Sequence, residues 1–309
     1  LGPASVRRAA LPHGPLLLTV SRWLAEHLPE RVVVVGRPTL SRAVATLLRT
    51  PGVVVECVAD GPWADPGHVV SAVHPFAALE ADTAPSPASP WAGQWRAAGQ
   101  RLAGAIRAEG FAWPTGLSVA AVLAGAVASD AVLVVGSSNP VRDLDLAAEG
   151  AVAGRVVANR GLAGIDGLLS TAVGVALASP APAYALLGDL TFLHDSGGLL
   201  IGPDEPHPDL TVVVVNDDGG GIFTTLEHGA PERSATFERI FGTPTGTDLE
   251  ALCRAHGVSH VRAASPAHLG SLVAERPRGL RVVEVVVDRS THRQAHEHLR
   301  ALAARTLDD

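Results

Sequence analysis

Short, nearly unbroken apolar runs recur along this chain: Val32–Val35, Val53–Val58, Ala131–Val135, Val156–Ala158, Ala183–Leu187, Leu210–Val215 and Leu280–Val287. They are rich in β-branched residues and too short for helices, which predicts strands buried on both faces. Between them lie stretches of helical composition, among them Trp91–Glu109, Leu117–Ala128, Leu168–Leu177 and the closing His292–Arg305. Strands alternating with helices predict an α/β fold built on a doubly wound parallel sheet. Asp82–Pro90 holds three prolines in nine residues, lacks apolar periodicity and reads as a linker. Only two or three strands precede it, too few for an independent sheet covered on both sides. The expectation is therefore a truncated, Rossmann-like first domain over residues 1–88 and a larger one over 89–309. No internal repeat is evident.

Composition narrows the function classes. With 309 residues, 47% of them apolar, the chain is globular. Its net charge of −7 and singly scattered arginines argue against a nucleic-acid partner, which would need a clustered basic surface. Cys57 and Cys253 form no CxxC pair and read as buried thiols of a cytoplasmic protein. No apolar run is long enough for a membrane span, and no charged segment precedes one as in a signal peptide. The start at Leu1-Gly2-Pro3 and the lack of methionine suggest a piece of a longer product.

Candidate chemistry gathers where strands end. Tyr184–Leu187 breaks at Gly188-Asp189, and about thirty residues later Leu210–Val215 breaks at Asn216-Asp217-Asp218 into Gly219–Gly221. Both turns offer hard oxygen ligands with glycines that let a ligand approach the backbone, a layout suited to a magnesium–diphosphate unit. The plain alternative is two ordinary acidic turns. Two further loops follow strands, Gly136–Asp143 and Asn159–Gly167. Their Arg142 and Arg160 can grip carboxylates bidentately, and Ser138 adds a hydroxyl. Arg142 could instead pair with Asp143 or Asp145, and Ile222 and Phe223 could be plain core. Gly36-Arg37-Pro38-Thr39 follows a strand but matches no nucleotide fingerprint, so it reads as a strand-to-helix turn. Asp166 is expected to cap the helix from Leu168, and His194 and Asp195 to lie on helix surface. Trp91, Trp95 and Arg101 read as a packing face.

The spaced acidic turns resemble the cofactor motif of thiamine-diphosphate enzymes. The motifs SNPVRD, NRGLAGIDG, GDLTFLHDSGGLLIGP, NDDGGGIF and RIFGTP, running from Ser138 to Pro244, are similar in order and spacing to one family of them. This is the family of 2-succinyl-5-enolpyruvyl-6-hydroxy-3-cyclohexene-1-carboxylate (SEPHCHC) synthases of menaquinone biosynthesis, in its actinobacterial form. Over Leu1–Pro90 the resemblance rests mainly on VVVVGRPTL, Val32–Leu40. It implies a diphosphate-binding domain over 89–309, part of a central domain before it, and thiamine diphosphate with Mg²⁺ or Mn²⁺ as cofactors. The metal ligands would be Asp189, Asp217 and the carbonyl of Gly219; the wider family usually has asparagine where Asp217 stands. Gly188, Leu190, Thr191, Gly220 and Ile222 would line the cofactor, and Ile165 would bend it. Ser138, Arg142 and Arg160 would meet substrate carboxylates, and Ile222, Phe223 and Leu226 would form an apolar wall.

The implied reaction decarboxylates 2-oxoglutarate and adds the succinyl carbanion to isochorismate. The implied assembly is a homodimer or homotetramer with its active site between subunits. The activating glutamate belongs in this family to an N-terminal pyrimidine-binding domain that no stretch of this chain matches, so the chain by itself is expected to be inactive. Two alternatives stay open: another thiamine-diphosphate carboligase or decarboxylase resembling acetolactate synthase, and a non-catalytic assembly module.

Overall fold

In the computed structural model, the described residues are 10–61, 63, 65, 67–79, 89–150, 152, 154–159 and 162–308. They form two compact units. The first extends to Glu109 and takes in the chain from Leu299; the second covers Gly110–Ala148 and Val152–His298.

The first unit holds a three-stranded parallel sheet of β1 (Arg31–Val35), β2 (Val54–Val58) and β3 (Val70–His74), in that order. Around it lie α1 (Ser21–Glu26), α2 (Arg42–Leu47) and α3 (Pro90–Glu109). The long helix buries Trp95, Ala98, Gly99, Leu102, Ala103 and Ile106, an apolar stripe at helical spacing. Trp95 meets Trp23 edge-on with ring centroids 4.7 Å apart, and the indoles of Trp91 and Trp95 both donate to the carbonyl of His27. That packing puts α3 in the first unit, so the chain divides after Glu109 rather than at the proline-rich stretch. Of Asp82–Pro90, only Ser89 and Pro90 lie within the described residues, and Pro90 opens α3.

The second unit is a six-stranded, wholly parallel sheet in the order β5-β4-β6-β7-β9-β8. Its strands are β4 (Val132–Val135), β5 (Arg155–Val157), β6 (Ala183–Gly188), β7 (Leu210–Asn216), β8 (Ser259–Arg262) and β9 (Leu280–Val286). The helices that follow in chain order are α4 (Gly116–Ala126), α5 (Asn139–Ala147), α6 (Leu168–Ala178), α7 (Asp189–His194), α8 (Leu249–Ala255), α9 (Pro266–Ala274) and α10 (His292–Asp308). The core centres on β4, β6 and β7, with Leu168, Leu169 and Phe192 packed against them. All seven strands anticipated from apolar runs are present, and two more, β3 and β8, complete the sheets. Each of these two is an edge strand, bonded on one side only, and each mixes polar with apolar residues. Half-exposed strands need no continuous apolar run, so the pattern leaves them unmarked.

Inside β9, Glu284 is only 1% exposed. Its carboxylate accepts from Arg262 of β8 at 3.1 and 3.2 Å and from the side-chain amide of Asn216 at 2.6 Å. Cys57 and Cys253 are buried free thiols. Among the described residues no helix is long and apolar enough to cross a membrane.

Candidate cofactor site

From β4 the chain crosses to β5 on one side, and from β6 it moves to β7 on the other, so β4 and β6 flank a reversal in strand order. Open α/β sheets leave a crevice at such a reversal, outside the carboxyl ends of the strands. A cavity of about 180 Å³ opens there, lined by residues that follow β4, β6 and β7. It gathers Ser138, Ile165, Gly188, Asp189, Leu190, Thr191, Asp217, Gly219, Gly220, Ile222 and Phe223, nearly the whole anticipated set.

Asp189 opens α7 directly after the extended Gly188, so regular structure aims its side chain. It is 3% exposed. Burial foremost, and then the charge of Asp217, push its carboxyl up to about 7, while the N–H groups of Leu190 and Gly219 pull the other way. Asp189 Oδ2 and Asp217 Oδ1 are both buried without a hydrogen-bond partner. Two mutually repelling carboxylates, each with an unpaired oxygen in one cavity, fit a divalent cation taking oxygen ligands. Among the described residues no three His, Cys, Asp or Glu side chains converge as a metal centre. A cation here would therefore draw further ligands from backbone carbonyls and from the bound molecule.

The Asp217 turn is held by distant groups. Asn216 Oδ1 accepts from the N–H of Asp218 at 3.0 Å, closing a tight turn. Arg289 Nη1 donates to the carbonyls of Asp217 and Asp218 at 2.7 and 2.8 Å, and its other end pairs with Glu238. His292, on the first turn of α10, stands 2.9 Å from Asp217 Oδ2 through Nε2. Gly219 has φ +143°, and a Cβ there would fall 2.0 Å from the carbonyl of Gly242. A Cβ at Gly220 would meet the carbonyl of Phe241 at 2.1 Å, and one at Gly221 the Asp217 carboxylate at 1.9 Å. The glycine run is thus packed against the π-helical turn Glu238–Gly242, whose residues include the start of the RIFGTP motif.

Several anticipated residues lie elsewhere. Arg142 sits one turn beyond Ser138, where its Nη1 donates to the Ser138 carbonyl at 2.6 Å, and it does not line the cavity. It makes that bond within its own loop because the two residues are four apart at the head of α5. Asp143 instead pairs with His296 of α10 at 2.7 Å, and burial pushes Asp145 up to about 6. Leu226 also lies off the cavity, its carbonyl accepting from Arg293 at 2.6 Å. Arg160 falls outside the described residues. The expected cap by Asp166 is not made: Gly167, in the left-handed region, takes the cap position of α6, and Asp166 pairs with His194 at 3.4 Å. Asp195 is no mere surface group, because it accepts from the N–H and hydroxyl of Ser170 in the first turn of α6 at 2.6 and 2.9 Å. Sequence reasoning missed Asn139, Arg289 and His292. The only local signal for the last was the four-residue spacing of His292 and His296, which puts both on one helix face.

Residues 150–285 match the family model described as "Thiamine pyrophosphate enzyme, C-terminal TPP binding domain". The chain is 48% identical to the SEPHCHC synthase of Saccharopolyspora erythraea over 95% of its own length and 52% of that protein's. It is 46% identical to the synthase of Nocardia farcinica, over 98% of this chain and 55% of the relative. The synthase of Rhodococcus erythropolis is 44% identical over 97% of this chain and 55% of the relative. The chain spans about half the length of these curated relatives. Along nearly its whole length the chain is therefore similar to SEPHCHC synthases, and residues 150–285 are similar to the C-terminal binding domain of thiamine pyrophosphate enzymes.

Proposed function

We propose that the cavity binds thiamine diphosphate through Mg²⁺, or Mn²⁺ in its place, with Asp189, Asp217 and the Gly219 carbonyl as the protein's ligands. The observation that carries this reading is the pair of buried carboxylates, each with an unpaired oxygen, at adjacent strand ends. In this reading the second unit is the diphosphate-binding domain and the first is part of a central domain, with the division after Glu109 in place of the expected one after residue 88. The full-length protein, a cytoplasmic homo-oligomer with its active site between subunits, joins 2-oxoglutarate to isochorismate with loss of CO₂.

When bound, the cofactor supplies an electron sink for decarboxylating a 2-oxo acid. The chain's own residues bind and orient. Asp189 and Asp217 offset the cation's charge. Ile165, Ile222 and Phe223 give the cavity apolar walls that exclude water. Ser138, Arg142 and Arg160 meet the carboxylates of substrates that the diphosphate would otherwise repel, which requires Arg142 to exchange its bond to the Ser138 carbonyl for one to substrate. The activating glutamate would come from a pyrimidine-binding domain outside this chain.

The test is calorimetric titration of the full-length protein with Mg²⁺ and thiamine diphosphate, followed by assay of SEPHCHC formation. Cofactor-dependent condensation of the two substrates is expected. Binding without condensation would limit the reading to a thiamine-diphosphate enzyme of other specificity, and absence of binding would overturn it.

A further inference from the structure

Asn139 lines the cavity and is 6% exposed, yet both ends of its amide, Oδ1 and Nδ2, are buried without a hydrogen-bond partner. A short polar side chain at the head of a helix has an ordinary remedy, which is to cap the free N–H groups. Asn139 does not use it, because Ser138 holds the cap position of α5 and no side-chain cap is made. An apolar residue would avoid the cost of burying two unpaired polar atoms. The residue before it is also strained: Ser138 has φ 75° and ψ −139°, a region L-residues rarely adopt. Such strain and unpaired polarity cluster where a ligand completes the structure.

Position indicates what the amide faces. Pro140, the next residue, lies against Gly188, where an added Cβ would be 3.9 Å from the proline ring. The first turn of α5 therefore abuts the Gly188–Asp189 turn, on which Asp189 Oδ2 is likewise unpaired. The N-terminus of this nine-residue helix adds a partial positive charge that favours an anion.

We infer that Asn139 is a ligand-contacting residue of this site, its Nδ2 donating to an oxygen of the bound diphosphate and its Oδ1 accepting from that ligand's hydration. The inference rests on the diphosphate reading given above. Its test uses two probes on the full-length protein, inorganic diphosphate with Mg²⁺ and thiamine diphosphate with Mg²⁺, titrated into unmodified protein, Asn139→Ala and Asn139→Asp. Losing a hydrogen bond to a charged group should weaken both probes roughly tenfold or more in Asn139→Ala. Asn139→Asp should bind more weakly still, by like-charge repulsion. The thermal midpoint of ligand-free Asn139→Ala should not fall, because no bond within the protein is removed. Unchanged affinity for both probes, a lowered midpoint without an affinity change, or a loss confined to the KM of the substrates would each overturn the role of Asn139 while leaving the diphosphate reading intact. Failure of the unmodified protein to bind either probe would overturn both.

Discussion

Asp189 and Asp217 stand at the carboxyl ends of neighbouring strands, each with one buried oxygen unpaired, but the chain holds them in different ways. Asp189 is the first residue of a helix that follows its strand after a single glycine. Strand, glycine and helix fix it, and all three are local. Asp217 sits in a turn with little regular structure of its own, fixed by Asn216 beside it, by the Phe241–Gly242 backbone, and by Arg289 and His292 some seventy residues on. A ligand set by local structure resists changes elsewhere. One set by tethers is open to adjustment from several places.

The largest expected effect tests the shared role of the two carboxylates. Asp189→Ala in the full-length protein should abolish measurable binding of Mg²⁺–thiamine diphosphate in calorimetric titration, since a hard cation finds no anionic substitute nearby. Retained affinity would remove Asp189 from the cation's shell. Asp217→Asn should be milder, because an amide still offers an oxygen.

Alanine at the two sets of glycines probes the difference in support. Gly220→Ala forces a Cβ to within 2.1 Å of a carbonyl and should cost on the order of 1–3 kcal/mol or more in denaturant unfolding. Gly188→Ala meets nothing closer than 3.9 Å at a negative φ, and should stay within about 0.5 kcal/mol of the unmodified protein. Equal costs would mean that the glycine turn is less tightly packed than its contacts indicate.

Removing the tethers comes next. His292→Gln or Arg289→Ala should weaken Mn²⁺ binding roughly tenfold, as seen when groups that orient a metal ligand are lost. In an Asp217→Asn background, the added effect of His292→Gln should shrink. Full additivity would show that His292 does not act through Asp217.

The smallest effect separates burial from charge repulsion, which act together on Asp189. Asp145 on α5 is pushed up to about 6 by burial alone. Its folded pKa lies above the unfolded value, so the folded state holds the extra proton and gains stability that is complete below about pH 4 and lost as pH rises through about 6. Between those limits the unmodified protein should lose on the order of 1 kcal/mol more than Asp145→Asn, the figure being discounted for partial exposure. Parallel stability curves for the two proteins would refute the assignment.

The contrast also explains what could be read from the residues alone. Central strands such as Ala183–Leu187 and Leu210–Val215 were legible because burial on both faces demands an unbroken apolar run. Edge strands β3 and β8 face no such demand. Asp189 and Asp217 were legible from spacing after those runs. Arg289, His292 and Asn139 were not, because their importance comes from what the fold brings beside them. The same cause misplaced the helix cap: Asp166 is next to α6 in sequence, but Asp195 is next to it in space. Arg142 shows a further limit, since a residue type suited to carboxylates is seen bonded to its own loop.

Glu284 ties the fate of the glycine turn to the rim of the sheet. The carboxylate joins Arg262 on the outermost strand to Asn216 at the base of the Asp217 turn. If β8 peels away, Glu284 loses its arginine inside the sheet, and a buried charge without its partner is strongly unfavourable. Fraying at this edge is therefore suppressed until the glycine turn opens too, making the two a single cooperative unit. Amide hydrogens of Ser259–Arg262 and of Asp218–Gly221 would then exchange at a common rate, although the segments lie some forty residues apart in the chain.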